Sequence, residues 1–583
     1  MPPSALYVKL LQELLLPGAA VLTTSRPTVL ESLGISLFER TVEIVGFTEE
    51  RVRSYVQSYC KHDKNNTTAT RMWEHIQQNL TLLSLCYIPV NCRIVCFLLK
   101  ELIKLSYQNS IALPTRLTEI YQGALRLLIF KHHPEYREKP FLGNEGFSET
   151  VEKHLTDLGM IAVKGITEGR MIFGLKEVGE MKNCGLLTQM PDYRVSLVEF
   201  EQCFCFTHLT LQEFLAAREI AKMDPHKLSE FIATNAEDPR WHLVIQFVAG
   251  LLHGQKNEVA NSFVCRLQDT LLSTCFNRKK ALLMMKCLYE YNDEATVNRA
   301  AFELQRKNNF DKEIRLVNSQ ITPTDCVAIV YFLKHIDSID YKLDLSRNFI
   351  GEGGCNELAK LLSEGGPVKL HIPENKITDQ GLNALAQAIT SDRCKLKELN
   401  IILNDLLSPE GFSHLWESFK NRNCKVIRLR LGGDQVTDKV ISQLCDTMEN
   451  VSCKLSILSI FSEEVANETV LLRLCKTLKH PNCQLTDLSI DCNRVTNEGV
   501  YHICDALENQ HCKLTDLQLA SNRLTAVVVP LLCKAIRHNN CKLSSLKVTS
   551  WNIKPDRGGK DLQDAIEEKC RTRSRNQLTS AGT

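Results

Sequence analysis

One apolar hexad returns about every 29 residues in the second half of this chain, and no other feature constrains its fold so tightly. It reads LDLSRN from Leu343, LHIPEN from Leu370, LNIILN from Leu399 and LRLGGD from Leu429. It continues as LSIFSE from Leu458, LSIDCN from Leu488, LQLASN from Leu517 and LKVTSW from Leu546. Successive starts lie 27, 29, 30, 29, 30, 29 and 29 residues apart. Each unit is too small to bury its own apolar face, so neighbours must stack to complete a shared core. The spacing L-x-L-x-x-N at this period specifies one short strand and one helix per unit, a leucine-rich repeat solenoid.

The residue types follow from that geometry. The two apolar positions of each hexad point inward, and the residues between them face the concave surface. Asn348, Asn375, Asn404, Asn493 and Asn522 fall in the turn after the strand, where a side-chain amide can satisfy backbone groups left without partners. Asp434 is a partial substitute, whereas Glu463 and Trp551 depart from the pattern. GLNALAQAI from Gly381 and GVYHICDAL from Gly499 carry apolar residues at helical spacing. Ile314-Arg315-Leu316, one period before Leu343, begins an atypical capping repeat. Over residues 312–570 the repeat length resembles the ribonuclease-inhibitor subclass.

Cysteines also fall into columns. Cys394, Cys424, Cys453, Cys483, Cys512 and Cys541 precede successive strands, and Cys445, Cys475, Cys504 and Cys533 lie on the helices. Equivalent stacked positions suit cysteine as a small buried hydrophobe. A disulfide framework is the alternative, but no secretory signal is visible, and reduced thiols point to a cytoplasmic location. Lys9, Gln12 and Glu13 break the apolar start, and Pro89, Asn91 and Arg93 interrupt the apolar run 80–99, which reads as a buried helix pair around Pro89. A net charge of +2 argues against direct nucleic-acid or membrane binding.

The front half shows no repeat and reads mostly helical. Residues 20–24 look like a buried strand ending in the polar turn TTSRP, and TVEIVGF, residues 41–47, looks like a second. Thr48 with Glu49 and Glu50 fits a helix start. Further helices are expected over about 68–80, 90–107 and 115–132. FSETVEKHLTDLGMIAV from Phe147 reads as an amphipathic helix running into a strand. Residues 194–206 alternate as a half-buried strand or wing, and the next helix carries His208 near its beginning.

In this order the segments TTSRP, VEIVGFTEERVRSYV, LLSLCYIPVNCRIVC, FTHLTLQEFLAA and WHLVIQFVAGLL resemble the NOD-like receptors, the NACHT–LRR family. The resemblance implies an α/β multidomain chain. Residues 1–47 would be the end of the NACHT nucleotide-binding domain, 48–114 a helical domain and 115–217 a winged-helix domain. Residues 218–311 would be a second helical domain, 312–570 a leucine-rich repeat horseshoe and 571–583 a disordered tail. It also implies cytosolic innate immune sensing or signal regulation. Protein partners or a microbial or danger-related ligand would bind the repeat surface, self-association would follow, and ADP/ATP would control the switch. By the same resemblance Arg26 would place a guanidinium near the terminal phosphate, Pro89 would pack against the base, and His208 would hold the ADP β-phosphate. Plainer readings stay open beside these: an exposed turn cation for Arg26, a kink between helices for Pro89 and a packing role for His208.

No G-x-x-x-x-G-K-[ST] occurs in the chain, and no apolar strand ends in paired acids, so neither a phosphate cradle nor a Mg²⁺-directing element is present. This fits a receptor truncated at its N-terminus or a natural form without nucleotide control. Nucleotide binding is accordingly expected to be weak or absent, and a STAND-type ATPase is disfavoured. A nucleotide-independent repeat inhibitor or scaffold stands as the alternative. Arg428 and Arg430, near Lys425, are candidates for meeting an acidic ligand on the concave face, with a solvated basic patch as the plainer reading. Because a truncated sheet exposes strand edges, amide exchange is expected to show weak protection over residues 1–47. Strong protection there in a monomer would count against a truncated sheet.

Overall fold

Strands of the repeats pair in sequence order in one parallel sheet, from Glu313–Arg315 at one edge to Ser545–Val548 at the other, nine strands among the described residues. The computed structural model describes residues 3–12, 14–21, 46–61, 67–106, 112–136, 146–190, 193–194, 200–255, 258–271, 278–306, 312–336, 340–462, 468–491, 495–520, 524–548, 560–569 and 571. The repeat period is the pairing register. Ile314, Leu343, Leu370, Leu399, Leu429, Leu458, Leu488, Leu517 and Leu546 stand side by side across the sheet. A parallel pair requires a crossover, and here each crossover is a helix, such as Gly351–Ser363, Asp379–Ile389, Pro409–Phe419 and Asn497–Leu507. Thr322, Thr378, Ser408 and Thr496 cap four of these helices by accepting from the N–H three residues on.

The asparagine turns work as their chemistry requires. Asn348 Oδ1 accepts from Ser319 N and Ile321 N at 2.9 and 3.0 Å, and its Nδ2 donates to Leu316 O and Leu345 O at 2.9 and 2.8 Å. Asn404 repeats the arrangement, accepting from Asn375 N and Ile377 N and donating to Ile372 O and Ile401 O. Both side chains are buried and cross-link adjacent repeats. Asp434 does not take over this role, because it is exposed. An acceptor-only carboxylate cannot donate to the turn carbonyls. Gln435 does so instead, with Nε2 3.0 Å from Gly432 O, and Ser462 Oγ reaches Val436 O at 3.2 Å. Asn493, Asn522, Glu463 and Trp551 lie outside the described residues.

Both cysteine columns are buried. Beside one of them runs a set of lysines that staple repeats together at the end remote from the asparagine turns. Lys425 Nζ donates to Asp392 O at 2.9 Å, Lys454 to Arg422 O at 2.8 Å and Lys513 to Pro481 O at 3.3 Å. Lys425 is therefore a staple and does not join Arg428 and Arg430.

Ahead of the array the described chain is largely helical. Thr48 caps Glu49–Tyr59, and the pair Leu80–Cys86 and Pro89–Ser106 flanks the Pro89 turn. The helix capped by Ser148 does not give way to a strand but runs from Glu149 to Glu168. Ala162 and Ile166 keep its buried face going until Gly169, at φ +68°, ends it. Cys203–Phe206 is the central strand of a three-stranded antiparallel sheet, between Phe173–Gly174 and Leu187–Gln189. Phe200–Glu201 instead pairs with Tyr193–Arg194, so the segment 194–206 is not one continuous strand. Ala20 and Val21 are in no strand, and residues 22–45, with Arg26 and most of both expected N-terminal strands, lie outside the described residues. Among the described residues no helix is long and apolar enough to cross a membrane.

Removing the Asn404 amide leaves two donors and two acceptors without their partner, which should cost about 2–4 kcal/mol. Asn404→Ala is expected to lower amide protection in Lys369–His371 and Glu398–Asn400 of the full chain, while Asp434→Ala leaves protection unchanged.

Candidate functional site

Pro89 occupies the first position of the Pro89–Ser106 helix, where its missing N–H costs nothing. It is exposed beside Ile88, itself 51% exposed. The turn before it is held from the N-terminal side, since Phe47 N donates to Tyr87 O at 2.7 Å. Gly46 makes this approach with φ +78°, and a Cβ there would stand 2.2 Å from Tyr87 O. Only glycine fits.

One turn into the same helix, buried Asn91 accepts from the Tyr121 hydroxyl at 3.0 Å. Tyr121 lies on Leu117–His132, with its ring 5.4 Å from Phe247 and 6.2 Å from Phe214. Burial pushes its phenol well up, with the nearby Thr210 side chain working in the opposite direction. Thr210 N in turn donates to His208 Nδ1 at 3.2 Å, which makes His208 the N-cap of Leu209–Ile220. The structure thus links the Pro89 helix and the His208 helix through Asn91, Tyr121 and Phe214. Sequence reading placed His208 near a helix start but did not identify it as the cap.

A second constellation joins this front half to the array. The helix Arg278–Tyr291 carries Lys286 and Glu290 one turn apart. Glu290 is 1% exposed, and burial pushes its carboxyl above the ordinary glutamate range. It accepts from Thr118 Oγ1 at 2.6 Å, Thr118 N at 3.0 Å and Leu117 N at 3.3 Å, which caps Leu117–His132 at its positive end. Gly250 lets its own helix come close here, since a Cβ would stand 2.1 Å from Thr118 Oγ1. Lys286 Nζ lies 2.9 Å from Asp325 Oδ1, and Asp325 Oδ2 accepts from Thr322 N and Oγ1 at 2.9 and 2.8 Å. Asp325 therefore ties this helix to Pro323–Leu333, the first helix of the array. Tyr289 adds an edge-on ring contact to Tyr331 at 5.6 Å. Opposite charges four apart inside KALLMMKCLYEY were the available sequence signal.

On the sheet face the register sets side chains in rows. Glu313, Lys342, Lys369, Glu398, Arg428, Ile457, Asp487, Asp516 and Ser545 form one row across the strands. Arg315, Asp344, His371, Asn400, Arg430, Ser459, Ser489, Gln518 and Lys547 form the next. At the first end the charges satisfy each other. Lys342 lies 3.0 Å from Glu313, and His371 Nε2 3.0 Å from Glu398 Oε1. The His371 hydrogen bond holds the Glu398 carboxyl below the ordinary range. Arg428 Nε is 3.9 Å from Glu398, and the Arg430 guanidinium sits 5.5 Å from the Phe461 ring. Both arginines, flanking Leu429 on either side, are on this face, whereas Asp344, His371 and Asn400 are buried.

No family model matches the chain. It is similar to NACHT, LRR and PYD domains-containing protein 3 of Bos taurus, 23% identical over 530 residues that cover 78% of this chain and 49% of that protein. NACHT, LRR and PYD domains-containing protein 14 of Homo sapiens is 24% identical over 505 residues, 79% of this chain and 44% of that protein. Protein NLRC5 of Ictalurus punctatus is 24% identical over 502 residues, 79% of this chain and 27% of that protein. The chain spans about half the length, or less, of these curated relatives.

Burial alone would push Asp325 up, but Lys286 and the Thr322 donors outweigh it and hold the carboxyl below the ordinary aspartate range. A depressed carboxyl contributes stability in full above its unfolded value, about 3.9, and that contribution is lost as pH falls through the folded value. Asp325→Asn is expected to cost about 1–3 kcal/mol at neutral pH. Acid unfolding followed by circular dichroism should show a shallower acid limb for this variant than for the unchanged chain.

Proposed function

This chain is a relative of the NOD-like receptors of the NACHT–LRR type, and from that premise we propose that it regulates innate immune signalling by binding a partner or ligand on its repeat array. The supporting observation is the order of parts. Helices bearing Pro89, a small antiparallel sheet, the His208 helix, a helical stack and a nine-stranded parallel array succeed one another along a chain matched over 78% by such receptors. In this reading residues 115–217 are the winged-helix domain, 218–311 the second helical domain, and 312–570 the horseshoe. The setting is the cytosol.

Nucleotide control belongs to the intact family arrangement, with Arg26, Pro89 and His208 facing ADP. For this chain the sequence carries no phosphate-binding loop, and the reading is a binder with weak or absent nucleotide affinity, not a catalyst. The array and second helical domain act as the restraint, held to each other by the Lys286–Asp325 pair, and the Glu290–Thr118 contact is the physical coupling between that restraint and the rest of the front half.

A nucleotide-independent scaffold is a second reading, favoured by one observation. His208 already has a structural occupation as a helix cap. Asparagine caps as well as any residue, so His208→Asn removes the imidazole and keeps the cap.

The test is a stimulated innate-immune reporter in cells expressing the full chain, the His208→Asn variant, or the chain without residues 312–570. The full chain is expected to change reporter output and the deletion to abolish that change. An unaltered His208→Asn response selects the scaffold reading, and an unaltered deletion response overturns both.

A further inference from the structure

The face of the array holds an imbalance of charge that nothing within the sheet resolves. From Glu313 to Glu398 the first row runs acid, lysine, lysine, acid, and each lysine has a carboxylate of its own, with Lys342 3.0 Å from Glu313 and Lys369 3.7 Å from Glu398. That one-to-one pairing then stops. Arg428 shares its one nearby carboxylate, Glu398, with Lys369 and His371, and its side chain is 45% exposed. Arg430 on the same strand lies over Phe461.

Past the strand Ile457–Phe461 the sign reverses. Asp487 and Asp516 are direct neighbours in register, and Asp491 stands at the end of the same strand as Asp487. Like charges placed directly opposite on neighbouring strands destabilise a sheet. Among the described residues only neutral groups answer them, the Thr486 hydroxyl 2.6 Å from Asp487 Oδ2 and the Gln518 amide 3.3 Å from Asp516 Oδ1. All three carboxylates are partly exposed. Lys342 and Lys369 are also neighbours of like charge, but each has its own carboxylate; the aspartates have no such counter-charge among the described residues, which is the signature of a surface shaped for something outside the chain.

Arg428 and Asp487 are two strands apart, about 10 Å at ordinary strand spacing. Phe461 and Ile457 lie on the strand between them. Resting on the reading of the array as a partner-binding surface, we propose that this face docks one helix of a partner protein. That helix carries carboxylates facing Arg428 and Arg430, lysine or arginine about 10 Å away facing Asp487, Asp491 and Asp516, and an apolar side chain between them on Phe461. Seven residues of helix rise about 10.5 Å and return to nearly the same face, so acidic and basic pairs two turns apart satisfy the spacing. A polyanion such as nucleic acid, or a uniformly basic peptide, matches only half of the surface and meets repulsion on the other half.

The probes are three fluorescein-labelled helical peptides of equal length with a central leucine. One is bipolar, with a glutamate pair and a lysine pair two turns apart; the others carry only glutamate or only lysine. Anisotropy titrations use the full chain. The bipolar peptide is expected to bind about ten-fold more tightly than either homopolar one, with the advantage shrinking as salt rises. Arg428→Glu with Arg430→Glu turns the face acidic and should make the lysine peptide the best ligand. Asp487→Lys with Asp516→Lys turns it basic and should make the glutamate peptide the best. Circular dichroism checks that each variant folds. Equal binding of a homopolar peptide to the unchanged chain, failure of either inversion, or no binding by any peptide overturns the docking face. Reporter regulation that still needs residues 312–570 would then leave the broader reading standing.

Discussion

Every repeat of this array must find partners for the backbone groups in the turn that leaves its strand. Strand groups are answered by the neighbouring strands, but at the turn the ladder ends while the chain is still buried. Asn348 and Asn404 answer that demand with one amide each, giving and receiving two bonds apiece. Since those bonds reach across to the adjacent repeat, the turn chemistry also fixes the stacking. Beyond Asn404 the structure solves the same problem with Gln435 and Ser462. The solution changes while the requirement does not.

What could be read from the sequence divides along the same line. The strand–helix alternation, the register, the buried cysteine columns and the facing of Arg428 and Arg430 follow from periodicity alone, because stacked copies repeat every local geometry. Non-periodic features were less legible. Asp434 sits in the right column yet is exposed, since occupancy of a column does not ensure the hydrogen-bond polarity the column needs. Lys425, three residues before Arg428 in the sequence, belongs to the opposite end of the repeat. In the front half Ser148 and Thr48 announce their helices, but the helix from Glu149 runs on through residues that alternate enough to suggest a strand. The capping role of His208 and the charges of Lys286 and Glu290 depend on partners 2 to 173 residues away, and distant partners leave little local trace.

Lys286 and Glu290 show how the halves of the chain are joined. A buried carboxylate is costly unless it is paired or hydrogen-bonded, and Glu290 meets that cost by accepting three bonds at a helix start. Lys286 answers a carboxylate that caps the first array helix. Because each group serves a helix end on a different side of the junction, a shift of that one helix would leave charges on both sides without partners. Apolar packing tolerates small sliding; hydrogen bonds do not, because they weaken steeply with distance and angle.

The cysteine columns have a consequence of their own. Burial pushes the Cys445, Cys475 and Cys504 thiols up to about 12, so in the folded array they remain protonated and inert. Each lies in a different repeat. A thiol is exposed to alkylation only when its own repeat separates from its neighbours. The array therefore carries a graduated scale along its length, on which the site of a modified sulfur records how far the stack had peeled open and from which end.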